Sequence, residues 1–229
     1  MITNLNMDLG KPIVIKANDR EWIDSRLPGV ERQLLERDEA ETGRATTIVR
    51  FVPGSEFASH VHTGGEEYFV LDGVFSDEFG DFGAGTYVRN PVGSEHRPHS
   101  TDGATIFVKL GQMDERDQDY VRVDTGAEEW LPGMVKGLSV MPLHQFGTEN
   151  VALVKWQPGT KFVEHSHPGG EEILVLDGVF EDEHGRYPKG TWLRSPPGSV
   201  HTPFSSEGCT IFVKTGHLPH EWSHSFGSI

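Results

Sequence analysis

The run His60-Val61-His62-Thr63-Gly64-Gly65-Glu66-Glu67, followed after two residues by Val70-Leu71-Asp72-Gly73-Val74-Phe75, decides how this chain is read. It recurs as His165-Ser166-His167-Pro168-Gly169-Gly170-Glu171-Glu172, again followed after two residues by Val175-Leu176-Asp177-Gly178-Val179-Phe180. Working outward, residues 51–111 align with 156–216 at a constant offset of 105, without a gap, and 34 of the 61 positions are identical. Upstream, Glu21-Trp22 matches Glu129-Trp130 and Leu27-Pro28-Gly29 matches Leu131-Pro132-Gly133. This reading leaves the second copy without a counterpart of Ile23–Arg26. A repeat of about 100 residues is a domain rather than a solenoid unit. Two domains are therefore expected, over 1–112 and 113–229, with the charged segment Gln112–Asp119 as a polar connector.

Within each copy, short runs rich in Val, Ile, Phe, Tyr and Thr are separated by Gly, Pro and Asp. In the first copy these are Ile13–Ala17, Ala45–Val52, Phe57–His62, Glu66–Leu71, Thr86–Asn90 and Thr105–Leu110, and they predict strands. The best helical stretch, Val30–Glu36, is too short to stand as a helix. The expectation is all-β: two tandem barrels or sandwiches.

Composition narrows the partners. The 229 residues carry 20 Lys and Arg against 35 Asp and Glu, a formal charge of −15, with no basic cluster. Phosphate backbones require such clusters, so nucleic acid is not expected. No run approaches the ~18 apolar residues of a membrane span, and the start has no basic-then-apolar leader. The single cysteine, Cys209, precludes an internal disulfide and fits a reducing interior. A cytoplasmic protein with no membrane partner is expected.

The chemistry lies in the histidines. Residues two apart on a strand share a face, so His60 and His62 point to one place. The Thr63-Gly64-Gly65 turn brings Glu66 opposite them, and His96, just after Pro91-Val92-Gly93, completes three nitrogens and one oxygen. The second copy repeats this with His165, His167, Glu171 and His201. Imidazole with carboxylate suits borderline divalent metals: Fe, Mn, Ni, Co or Zn.

This spacing, with Pro-x-Gly-Ser-x-His beyond it, matches both motifs of the cupin superfamily, twice. The fuller run through Asp-Glu and Ile-Phe-Val-Lys resembles the cupin-like domain of ChrR anti-sigma factors. The resemblance covers about Trp22 to Gly111 and Trp130 to Gly216. It implies two tandem cupin jelly-roll barrels, each holding one divalent metal, zinc in ChrR itself. The implied ligands are His60, His62, Glu66 and His96, then His165, His167, Glu171 and His201. ChrR also has a helical anti-sigma domain with a His and Cys zinc site. No such helical, cysteine-bearing segment stands before the first copy here, so a sigma-factor partner does not follow from the resemblance. Ser100 and Ser205 stand where the later cupin motif often has Asn, a change neutral for the metal.

Two functions follow. One is a metal-binding sensor or regulatory bicupin, in which zinc with four protein ligands is coordinatively closed. The other is a non-haem metal-dependent dioxygenase acting on a small diketone or similar oxygenated substrate, because Fe(II) prefers six positions and would keep two open. Either allows a small-molecule ligand in each barrel, and a homodimer of the chain. Wall positions differ between copies (Tyr68 against Ile173, Ala58 against Val163), so unequal ligand binding is expected. Glu67 and Glu172 face away from the site and read as solvated or Arg-paired surface carboxylates. His99 reads as a rim histidine and Cys209 as a small core residue. The tract His217-Leu218-Pro219-His220-Glu221-Trp222-Ser223-His224 reads as a docked or frayed end.

Overall fold

The computed structural model describes residues 4–38 and 43–218. It divides into two compact units, Met1–Met7 with Asn18–Glu129, and Asp8–Ala17 with Trp130–Ile229. Among the described residues the regular structure is strand, apart from one 3-10 turn at Ala17–Asp19. Among these residues no helix is long and apolar enough to cross a membrane.

The main sheet of the first unit runs Val121–Asp124, Thr86–Asn90, Glu66–Asp77, Ala104–Leu110, Ala45–Phe51, Val30–Arg37, Ile23–Asp24, each antiparallel to its neighbour. The second unit repeats the order with Ile13–Ile15, Trp192–Ser195, Glu171–Asp182, Cys209–Thr215, Glu149–Trp156, Leu138–Phe146, Leu131–Pro132. Val30–Glu36, helical at best by pattern, is strand because its backbone pairs with Ala45–Phe51 on one side and Ile23–Asp24 on the other. Small sheets close each barrel. In the first, Gly80–Gly83 and His99–Ser100 pair with the far end of Glu66–Asp77, and His60–Val61 pairs with Glu95–His96. The interior is apolar. Val49, Phe51, Tyr68, Val70, Phe75, Val88 and Ile106 fill the first barrel, and Trp156, Ile173, Val175, Phe180, Leu193 and Ile211 the second. Full burial of side chains of this size stabilises by about 1.5–3 kcal/mol each.

The strand Glu66–Asp77 is longer than the Glu66–Leu71 expected, because it does not stop at Gly73 but bends there. Its register against Ala104–Leu110 shifts between Thr105 and Ile106, and Gly73 adopts φ +73°. A β-carbon at Gly73 would lie 2.1 Å from the Gly103 carbonyl oxygen, and at Gly178 2.1 Å from that of Gly208. Only glycine permits both the left-handed backbone and the close approach. The Leu-Asp-Gly-Val run is thus the corner where a strand leaves one sheet for the other.

Three sequence readings need correction. The compact units do not meet at 112/113. Asp117 is buried, 2.5 Å from Arg89, and Val121–Asp124 pairs with Thr86–Asn90, so the charged connector is docked on the first barrel. Likewise Ile13–Ile15 completes the second barrel, not the first. Finally, Ile23 pairs with Arg32 as Leu131 pairs with Val140. Structural equivalence therefore keeps an offset of 108 up to the end of Val30–Arg37. The second copy is shorter in the connection that follows this strand, not after Trp130. Hydrophobic matching aligned two Leu-Pro-Gly segments that occupy different places in the fold.

Candidate metal centre

His60 and His96 sit directly opposite each other in the small ladder, as do His165 and His201. His62 and His167 follow two residues later on the same face. Backbone bonds hold that turn: His62 N–H donates to the Ser94 carbonyl (2.9 Å), and its carbonyl accepts from Gly65 (3.2 Å) and Gly93 (2.9 Å). The expected histidines converge in both units. Ligand nitrogens of His60, His62 and His96, and of His165, His167 and His201, lie within 4.8 Å of one another.

The glutamates join them. In the first barrel His62 Nε2 is 3.0 Å from His96 Nε2, and Glu66 Oε2 is 3.4 Å from the former and 3.5 Å from the latter. In the second, His201 Nε2 lies 3.1 Å from His167 Nε2 and 3.3 Å from His165 Nε2, with Glu171 oxygens 3.3 and 3.6 Å from His167 and His201. Donors about 2.1 Å from a common ion stand about 3.0 Å apart in an octahedral cis pair and about 3.4 Å apart in a tetrahedron. The separations of 3.0–3.6 Å among His62, His96 and Glu66, and among His165, His167, His201 and Glu171, lie near these edges.

Tautomers support the same reading. His60 Nδ1 faces the Ala58 carbonyl at 3.1 Å and His165 Nδ1 the Val163 carbonyl at 3.0 Å. A carbonyl only accepts, so both Nδ1 atoms carry hydrogen and both Nε2 atoms present lone pairs. His96 Nδ1 likewise meets Asp77 Oδ2 at 3.1 Å, and His201 Nδ1 lies 3.8 Å from Asp182 Oδ2. Lone pairs gathered at these distances need a cation or a proton between them. The residues fit a divalent metal.

The sequence reading does not single out Asp77 and Asp182, although each stands two residues after its Val-Phe pair. A carboxylate behind a ligating imidazole fixes the ring and raises its basicity. One strand supplies both ends of this arrangement. Twelve straight residues would place Glu66 and Asp77 roughly 36 Å apart, yet both side chains touch His96. The bend at Gly73 wraps the strand around the imidazole, and Gly178 does the same around His201.

Electrostatics separates the two centres. Burial lowers the His62 pKa despite the opposing Glu66 charge, and lowers His167 to about 4, helped by His165 and His201. At His96 and His201 burial also pulls downward, but the aspartate bond and the nearby carboxylates outweigh it and raise the pKa. Glu171 is pushed up to about 7 by burial and by Asp182, against the pull of His201. Glu66 has support that Glu171 lacks: Asn90 Nδ2 donates to its Oε2 (2.9 Å), and Arg122 donates to Asn90 Oδ1 (2.5 Å). At the equivalent positions the second barrel has Ser195 and Val14. This asymmetry was not legible in the sequence, because Arg122 and Val14 lie on strands whose barrel only the fold reveals.

Two predictions arise here. Asp77→Asn should weaken metal binding in the first barrel by about 10–100-fold and leave the second unchanged; competition with a chromophoric chelator measures it. Cation binding in the second barrel requires ionised Glu171, which is largely protonated below pH 7 in the metal-free protein. Binding there should therefore release a proton and weaken from pH 8 to pH 6. Calorimetry in buffers of different ionisation heat reads the proton count, and no proton release at pH 6.5 would contradict it.

The remaining residues are placed as follows. Glu67 and Glu172 do turn away from the centre, but they are buried. Glu67 accepts from Arg89 (2.7 Å) and Tyr87 (2.8 Å), and Glu172 from Trp192 Nε1 (2.8 Å). Ser100 and Ser205 hydroxyls donate to the Val74 and Val179 carbonyls just past the bend, a structural role. His99 is half-buried outside the cluster. Cys209 is buried, and burial raises its thiol pKa to about 11, so it is core and not a reactive thiolate. His217 Nε2 lies 3.2 Å from Glu172; from Pro219 onward the terminal tract is outside the described residues.

The cavities differ too. In the first barrel a cavity of about 460 Å³ reaches His60, His62 and Glu66 between walls that include Val49, Phe51 and Phe75. In the second, a pocket of about 620 Å³ lies beside the Ile13–Ile15 strand and reaches His201 from the Asp182 side.

Known folds agree with this architecture. A Nostoc punctiforme protein described as a candidate dioxygenase is 18% identical, with 93% of this chain and 85% of that one covered at a TM-score of 0.76. A candidate glyoxylate-induced protein from Pseudomonas aeruginosa is 13% identical over 98% and 94% of the two chains, TM-score 0.74. A mutant of Bacillus subtilis oxalate decarboxylase is 14% identical over 96% and 79%, TM-score 0.63. No curated protein sequence matches the chain. Residues 10–114 and 118–219 each match the ChrR Cupin-like domain, and with two converging His₃Glu centres in two jelly-roll barrels the chain belongs to the ChrR cupin-like family, in tandem form.

Proposed function

We propose that each barrel binds one divalent cation and that the first works as a metal-dependent enzyme centre, of dioxygenase type, on a small oxygenated organic substrate. The observation that carries this reading is the cavity of about 460 Å³ reaching three of the four donor residues. A purely structural metal has no use for such a space. A bound divalent cation would supply Lewis acidity and coordination positions for oxygen donors. The chain's own residues do the rest. Asp77 keeps the His96 ring oriented, and Asn90 with Arg122 holds Glu66. The apolar wall of Val49, Phe51 and Phe75 limits water, which strengthens every charge interaction inside.

The regulatory reading is favoured by one observation, the family match itself, since ChrR is an anti-sigma factor by that resemblance. On that reading zinc fills each centre and the chain senses rather than catalyses. The measurement is metal identity and coordination number, with oxygen uptake by the iron-loaded protein on a small 1,3-diketone and zinc-loaded protein as control. Iron with two exchangeable positions and diketone-dependent uptake supports the enzyme. Zinc held by four protein ligands with no exchangeable position, and no uptake, overturns it.

A further inference from the structure

The two barrels differ on the side of the centre where the supporting aspartate lies. In the first, Arg122 reaches across from the edge strand Val121–Asp124. Its Nη1 donates to the Arg89 carbonyl (2.7 Å) and the Val121 carbonyl (2.8 Å), and its Nη2 to Asn90 Oδ1 (2.5 Å). Its Cζ stands 5.4 Å from the centre of the Phe82 ring and 5.9 Å from that of Tyr120. By pairing register, the second barrel has Arg194 for Arg89, Ile13 for Val121 and Ser195 for Asn90. Tyr187 stands for Phe82, and Pro12 for Tyr120. Arg122 itself is replaced by Val14. These six residues all belong to the second unit, and all line its pocket of about 620 Å³ beside Asp182. The pocket is thus the berth of a guanidinium, left open because valine is shorter than arginine.

We propose that this pocket is a receptor for a small organic cation with a guanidinium head. The head takes the place that Arg122 fills in the first barrel, and the stem lies against Val14, Leu193 and Val200. The backbone carbonyls of Ile13 and Arg194 and the Ser195 hydroxyl are acceptors for a planar fork of N–H donors. The Tyr187 ring offers the aromatic face that Phe82 gives Arg122. Val14 and Val200 expose apolar surface for the stem. The volume lies within the ~300–1,000 Å³ range of small-molecule sites. The formal charge of −15 draws cations towards the chain. Two arginines of the pocket wall are engaged elsewhere. Arg186 is held by Glu181 (3.0 Å) and by Glu207, and Arg194 donates to the Asp8 carbonyl (3.0 Å). Lys16 is exposed and lacks the planar fork. The inference goes beyond the metal reading and does not rest on it, since a guanidinium is not a metal ligand.

The test is isothermal titration of the full chain with butylguanidinium, in about 0.15 M salt to screen the general field. Butylamine is the control of equal charge, and butan-1-ol and butyrate are the uncharged and anionic ones. Val14→Arg installs the residue of the first barrel, where the same strand pairing accommodates it. Val14→Gln fills the space without charge and serves if the arginine variant melts early. Arg122→Val opens the berth in the first barrel. One saturable butylguanidinium site per chain is expected, with butylamine at least about tenfold weaker and no saturation by butan-1-ol or butyrate. Val14→Arg should weaken the site at least about tenfold, because its own side chain competes for the same partners. Arg122→Val should add a second site of the same selectivity. No saturation by butylguanidinium, equal affinity for butylamine, or affinity unchanged in the Val14 variants overturns the inference. A folded Arg122→Val chain that gains no second site also overturns it.

Discussion

His62→Ala is expected to reduce bound divalent metal from two per chain to one, with the second barrel still filled; His167→Ala is expected to do the converse. Each ligand set lies within one barrel: His60, His62, Glu66 and His96 in one unit, His165, His167, Glu171 and His201 in the other. Removing a ligand should cost more than the about 10–100-fold lost with a supporting residue. A cation present at about 1,000 times its Kd stabilises the folded state by about 4 kcal/mol. Its loss should lower the melting temperature of that barrel by on the order of 10–20 °C. Glu66→Gln should do less, since the carboxamide keeps an oxygen beside Asn90. His99→Ala, outside the cluster, should change neither metal content nor melting. Elemental analysis with parallel thermal melts reads all of these. Two sites emptied together by His62→Ala would end the picture of independent centres.

Gly73→Ala is expected to be the most damaging single methyl in the first barrel. The alanine would have to adopt φ +73°, at about 1–2 kcal/mol, and its β-carbon would meet the Gly103 carbonyl oxygen at 2.1 Å. That oxygen belongs to the backbone and accepts from Val74 N–H, so it has little freedom to retreat. A total of about 4 kcal/mol or more follows, enough to lower the melting temperature by roughly 15 °C. Gly54→Ala is the control. It has φ +78° but no atom within 4 Å of its added carbon, so only the backbone cost of about 1–2 kcal/mol applies. Metal should follow stability, because the bend at Gly73 brings both Glu66 and Asp77 to His96. Equal melting of the two alanine variants would show that the corner tolerates a side chain.

The sequence by itself determined the repeat, the all-β class and the eight converging side chains. These are local facts. Strand alternation puts His60 and His62 on one face whatever surrounds them, a Gly-Gly turn returns the chain to Glu66, and a second copy repeats the spacing. Tertiary structure alone decided what depends on distant partners. The Gln112–Asp119 connector reads as solvent-exposed because its charges are visible and its partner, Arg89, is far away in sequence. Glu67 and Glu172 read as surface residues for the same reason, although each is buried against hydrogen-bond donors. Which barrel the Ile13–Ile15 and Val121–Asp124 strands complete is a choice of pairing, and edge strands of similar composition carry no local mark of it. That choice puts Arg122 behind Glu66 and leaves Val14 in the equivalent place, so two clusters of identical side chains differ in what holds them.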